Sequence, residues 1–251
     1  MKFKSTPLDT AKRSEFHKPQ FEKEQLKVKN LMQADLIKAV DELSEVVVSN
    51  GERINSLREL LQGNISEKRE DLWRSAIVKY ENLSILANKV SEIYLMLLDI
   101  YTYGTFCMLA RDEWDWRAFA RHFYTILNEH PKTVNKQLNE ILKILKADIG
   151  ENYDLSSVVQ AKKEFSLFIN DNISFAKQIR INVDAHFDGD YKERLDLITD
   201  LSYNRVVELY YTYNSKMHGF LKELRPALLR LRKSADISYY SFHLSSFSEI
   251  Q

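Results

Sequence analysis

The sequence predicts an all-α fold, a single multi-helix bundle. Three observations carry that prediction. Only six Gly and four Pro occur in 251 residues, too few chain breakers for a turn-rich all-β architecture. Apolar residues recur at steps of three and four along most of the chain, the period of one helix face. No segment shows the strict alternation of a half-buried strand, so up to seven helices of bundle length fill the sequence. The hydrophobic fraction of 44% is ordinary for a globular protein, and the length is ample for a sizeable core.

Taken in order, residues 1–18 form a polar arm carrying Lys2, Lys4, Lys12, Arg13 and Lys18, with no apolar run of signal-peptide length. From Phe21 to about Ser49, Leu26, Val28, Leu31, Met32, Leu36, Ala39, Val40 and Leu43 mark a helix. Asn50-Gly51 reads as a stop of the left-handed type, followed by a short helix over about 53–61 that ends at Gly63. Ser66 with Glu67 and Glu70 starts the next helix, which places acids where the helix dipole favours them. It runs through Trp73, Ile77, Tyr80, Leu83, Leu86 and Val90 to about Leu109, with Gly104 a candidate kink or end. Asp112–Pro131 is amphipathic, with Trp116, Phe119, Phe123 and Leu127 on one stripe. His130-Pro131 should end it, because the residue before proline avoids the helical region.

A further helix covers about Thr133 to Lys146, and Gly150 to Leu155 is a turn. Ser156 to Asp188 reads as helix closed by Gly189, and Asp190 to about Arg225 as another. Pro226 kinks that last helix or opens a new one. The tail from 237 to 251 is aromatic and serine-rich without a helical period, which predicts an extended strap or a disordered end. No linker divides residues 19–236, so one domain is expected there.

Charge and motif content exclude several function classes. Thirty-six basic residues balance thirty-six acidic ones, so only a local patch could recruit a polyanion. One cysteine, Cys107, excludes an intrachain disulfide and any multi-cysteine metal centre; inside an apolar run it reads as an inert thiol. Ile93–Ala110 approaches the length of a membrane span, but Asp99 near its centre would cost about 2.5–3.5 kcal/mol there. A buried bundle helix and a cytoplasmic protein are therefore expected. None of the six histidines follows a Glu by three positions, and no HExxH, Walker loop, GxGxxG or GxSxG is present. Neither a cofactor nor a metal is expected.

The segment FAKQIRINVDAHFDGD, Phe175–Asp190, carries the most chemistry. Phe175, Ile179, Val183 and Phe187 form a core stripe, and Arg180 flanks it. Asn182 and His186 share a face at a step of four. Gly189 would leave His186 in the last turn, where the dipole favours imidazolium by about 1 kcal/mol or less. Arginine, asparagine and a near-neutral histidine suit phosphate chemistry. The plain alternative is an Arg180–Asp184 ion pair and a space-filling His186.

Arg180, five residues, then His186 at a helix end in an all-α chain resembles the Arg-x(4–6)-His motif of the HEPN superfamily. The resemblance covers about residues 112–233 and implies a four-helix HEPN-like core with additional N-terminal helices. It further implies a homodimer whose cleft cuts RNA without metal, as toxins and antiviral effectors of that family do, and with an antitoxin as a possible partner class. On that basis Arg180 would neutralise the scissile phosphate and His186 would move the proton of the 2′-hydroxyl or leaving oxygen, supported by Asn182. Ile181 stands where active members usually place a polar residue. A non-catalytic dimerisation or partner-binding module therefore remains the alternative.

Two further clusters are candidates for anion or RNA binding. Arg117, Arg121 and His122 lie among Trp114, Trp116 and Tyr124, and Arg117 with His122 repeats the Arg–His spacing. Between Arg205 and Lys233, cations that include Lys216 and Arg225 outnumber acids, with Tyr203, Tyr210, Tyr211 and Tyr213 interleaved. The same tyrosines suit a protein interface.

Overall fold

The computed structural model describes residues 19–63, 67–110, 113–148, 153–181, 196–198 and 200–248. Among these the fold is all-α. Five long helices follow one another: α1 (Pro19–Leu60), α2 (Glu67–Leu109), α3 (Glu113–Asp148), α4 (Ser156–Ile179) and α5 (Tyr203–Ser248). The apolar spacing explains their length. Buried positions on α3 are Trp116, Ala120, Phe123, Leu127, Val134, Leu138, Ile141 and Leu145, and on α5 Tyr213, Met217, Phe220, Leu224, Ala227, Leu231 and Ala235. Steps of three and four keep one seam of a helix inward over many turns.

The helices are longer than local signals predict. Asn50-Gly51 does not stop α1, which runs on to Leu60. Asn50 is only 1% exposed and its Nδ2 donates to Ser84 Oγ at 3.3 Å. Glycine in a helix interior costs about 1 kcal/mol, whereas burying Ile54 and Leu57 beyond it returns about 1.5–3 kcal/mol each. His130-Pro131 does not end α3, because Val134, Leu138 and Ile141 extend its buried seam past the proline. Their burial outweighs the roughly 3 kcal/mol that an internal proline costs. Gly104 lies inside α2 and Pro226 inside α5. The helix expected from Asp190 to Arg225 is not continuous; Leu201 and Ser202 are non-helical and α5 begins at Tyr203. The tail is neither strap nor coil as far as Ser248, since α5 continues through it. The end expected for the fourth helix, at Asp188-Gly189, lies outside the described residues.

Two compact units are distinguished, and every helix contributes a segment to each. One unit comprises residues up to 38, 94–136 and 163–218. Its neighbours run antiparallel: Asn135 meets Ser166 and Glu129 meets Arg180 between α3 and the α4 end, while Glu164 meets Lys216 and Asn172 meets Arg205 between α4 and α5. Trp116, Phe123, Tyr124, Phe165, Tyr203 and Tyr213 fill its core. The second unit comprises 39–93, 137–162 and 219–251. Its core holds Leu57, Trp73, Tyr80, Leu86, Ile141, Phe220 and Leu231. Arg53 Nη1 donates to Asp236 Oδ1 at 2.6 Å, and the Tyr80 hydroxyl donates to the same oxygen at 2.9 Å.

A methyl group at Gly51 or Gly219 would meet nothing within 4 Å. Gly51→Ala and Gly219→Ala are each expected to raise stability by about 0.5–1 kcal/mol through helix propensity alone. Urea denaturation followed by ellipticity checks this, and a loss at either position would contradict the open space.

No helix among the described residues is long and apolar enough to cross a membrane. The Ile93–Ala110 stretch is bundle core instead, with Ile93, Leu97, Ile100, Cys107 and Met108 buried.

Candidate functional site

Ala176 and Ile179 anchor the end of α4 in the core of the first unit. The backbone then widens into a π-type turn at Arg180 and Ile181. Arg180 follows the last anchoring residue, so its guanidinium emerges at the edge of the core. Its Nε lies 2.6 Å from Glu129 Oε1, and the two side chains are 42% and 43% exposed. A pair so wetted contributes at most about 1 kcal/mol. Glu129 Oε1 also accepts Asn128 Nδ2 at 2.8 Å. Asn182 and His186 lie outside the described residues.

Beside Glu129 sits His130. Its Nε2 is 3.5 Å from Asp99 Oδ2, and its Nδ1 is buried without a hydrogen-bond partner among the described residues. Burial holds the imidazole pKa below its usual 6.5, with the Asp99 and Glu129 charges opposing that shift. The unfolded chain takes up this proton more readily than the folded one. The stability that the neutral ring contributes is therefore present above pH 6.5 and lost as pH falls through the lowered folded value. A loss of up to about 1.4 kcal/mol per pH unit is expected in that window. His130→Gln should flatten the slope in urea titrations at successive pH values, and an unchanged slope would reject the assignment.

The other sequence candidates fall in different surroundings. Arg117 is 3% exposed; its Nε donates to the Ile198 carbonyl at 3.1 Å and its guanidinium lies over the Trp116 ring. Arg121 is half-buried. His122 is exposed, with its ring 5.5 Å from that of Tyr103. Trp116 and Tyr124 are core residues. On α5, Tyr203, Tyr210 and Tyr213 are buried and unable to stack on bases, leaving only Tyr211 exposed among the four. Lys216 pairs with Glu164 at 2.8 Å. Arg225 is exposed on the second unit, with Lys222 and Lys233 on the same solvent face of α5.

Sequence spacing missed a cavity of about 270 Å³ in the first unit, lined by Tyr124, Asp171, Asn172, Phe175, Asp200, Ser202, Arg205 and Leu209. These residues come from α3, α4, the turn before α5 and its first turns, which no local periodicity connects. Among the described residues no group of three or more His, Cys, Asp or Glu could hold a metal ion.

Fold and side chains together define an all-α helical-bundle protein with a solvent-reachable arginine at one helix end. No family model, no curated protein and no solved structure matches the chain.

Proposed function

We propose that the chain is a HEPN-like helical protein that acts on RNA phosphate, with Arg180 as the phosphate-binding group and His186 as the proton carrier. One observation supports it most. Of the two Arg–His spacings, Arg117 is sealed in the core at 3% exposed, whereas Arg180 is 42% exposed at a helix end. A scissile phosphate offers two oxygens to the planar guanidinium and so competes with the single Glu129 contact. Arg180 would then neutralise charge that grows on the phosphate, while His186 takes the 2′-hydroxyl proton or supplies one to the leaving oxygen. The product is a cyclic phosphate, and no metal enters the step.

The test is cleavage of end-labelled RNA in the presence of chelator. Cleavage by wild type, lost in both Arg180→Ala and His186→Ala, supports the reading. Equal cleavage by His186→Ala rejects it. A second reading, a non-catalytic dimerisation or partner-binding module, draws on the Arg180–Glu129 contact as a link between α3 and the end of α4. It predicts no cleavage, together with a lowered Tm in both Arg180→Ala and Glu129→Ala.

A further inference from the structure

In the second unit the outer crests of α1 and α5 carry opposite charge. On α1, Asp41, Glu45, Val48, Glu52 and Glu59 follow at steps of four, three, four and seven, and all five are exposed. This face lies opposite the buried Asn50, Ile54 and Leu57. On α5, Lys222, Arg225, Leu229, Lys233 and Ile237 follow at steps of three and four, again all exposed. They lie opposite the buried Leu224, Ala227, Leu231 and Ala235. Over residues 39–60 five acids stand against two arginines, a net charge of −3. Over residues 219–239 five cations stand against two acids, a net charge of +3. Every exposed charged residue of that α5 stretch is a cation.

Charge alone would describe two solvated faces, but apolar residues interrupt both. The three most exposed large hydrophobic side chains among the described residues are Val48, Leu229 and Ile237, at 57–63%. All three stand on these two crests. Val48 lies between Glu45 and Glu52, and Leu229 between Arg225 and Lys233. Each helix thus repeats one pattern of charge, aliphatic and charge, with the sign reversed. The side chains of Asp41, Glu45, Glu52 and Glu59, and those of Lys222, Arg225 and Lys233, have no ion pair or hydrogen bond among the described residues. The Arg53–Asp236 bond holds the two helices side by side.

We propose that these crests form the seam of a homodimer, in which the acidic crest of α1 packs on the basic crest of α5 of a second copy, and the reverse. A two-fold axis makes one patch serve both roles, so each residue pair occurs twice. Val48 packs against the partner's Leu229, and Glu45 and Glu52 face the partner's Arg225 and the partner's Lys233 around it. An apolar centre within a polar rim is the usual anatomy of a protein interface. RNA or an anionic lipid surface would answer the basic crest alone and leave the acidic crest and Val48 without a role. This seam differs from the Arg–His cleft of the HEPN resemblance. It includes no residue of the Arg180 site, so dimerisation and RNA cleavage can fail separately.

Sedimentation equilibrium of the full chain tests this. Wild type is expected to be a dimer whose Kd rises about tenfold or more between low and high salt, because the rim charges are screened. Two double variants reverse one crest each: Arg225→Glu with Lys233→Glu, and Glu45→Lys with Glu52→Lys. Each should raise the Kd about a hundredfold, since like charges then face one another, while ellipticity stays unchanged at these exposed positions. An equimolar mixture of the two should restore the dimer, because each reversed crest then meets its opposite. Leu229→Ala should raise the Kd about tenfold, its loss being counted twice in the seam. A monomeric wild type, a dimer that survives both reversals, or a mixture that stays monomeric would overturn the proposal. So would a monomer that binds phosphatidylserine vesicles or single-stranded RNA through Arg225 and Lys233.

Discussion

Gly104→Ala is expected to destabilise the protein by about 2 kcal/mol, opposite in sign to Gly51→Ala. Both glycines lie in helix interiors, so propensity alone would reward either change by up to about 1 kcal/mol. The difference is tertiary. A Cβ at Gly104 would fall 2.6 Å from Tyr210 Cε2 and 2.8 Å from its Cγ, inside the ring's van der Waals surface. Tyr210 cannot yield easily: it is buried, and its ring stands edge-on to Tyr101 at 5.9 Å and to Tyr211 at 5.0 Å. Overpacking of this kind costs about 1–3 kcal/mol or more, and exceeds the propensity gain. For a chain of this length the Tm should fall by roughly 4–8 °C. A double-mutant cycle isolates the cause. In a Tyr210→Ala background, Gly104→Ala should no longer destabilise. A rise in Tm for the single variant would refute the close approach of α2 and α5 at this point.

Alkaline unfolding should be steep and cooperative. Burial raises the phenol pKa of Tyr124, Tyr210 and Tyr213 well above the usual 10, and burial with the Asp236 hydrogen bond does the same for Tyr80. Below pH 10 the phenols are neutral in both states, and their contribution is fully present. Above it the unfolded chain ionises while the folded one resists, so stability is lost as pH climbs toward the raised folded values. Each phenol contributes about 1.4 kcal/mol per pH unit, and four together about 5.5 kcal/mol per pH unit. Against a typical total of about 5–15 kcal/mol, unfolding is expected within roughly one to three pH units above 10. Part of the phenolate absorbance should appear only together with the loss of ellipticity. All thirteen phenols ionising near pH 10 with helix retained would show the four rings to be accessible. Tyr213→Phe removes a hydroxyl without a partner among the described residues and should move the midpoint upward. Tyr80→Phe gives up the bond to Asp236 and should give a smaller gain or none.

The site was less legible than the fold. Arg180 could be singled out from its place beside the Ile179 stripe, and it does emerge at the edge of the core. Its contact with Glu129 could not be read, because the two residues meet only when α4 returns antiparallel to α3. Arg117 repeats the Arg–His spacing in one dimension, flanked by acids and aromatics, and only its mid-helix place sets it behind Arg180. Its burial against Trp116 and the Ile198 carbonyl depends on the helical residues 196–198, far away in sequence. The cavity beside Tyr124 was invisible for the same reason: three separate stretches, at 124, 171–175 and 200–209, supply its walls.

Helical class was written in the chain itself, in scarce glycine and proline and in apolar steps of three and four, because both act within a few residues. Helix ends were settled by packing. Asn50-Gly51, His130-Pro131 and Pro226 are local breakers whose penalties of about 1–3 kcal/mol are smaller than the burial gained by continuing the seam. Whether a guanidinium faces water, or a glycine faces a ring, depended on neighbours far away in sequence, and only the folded arrangement could decide it.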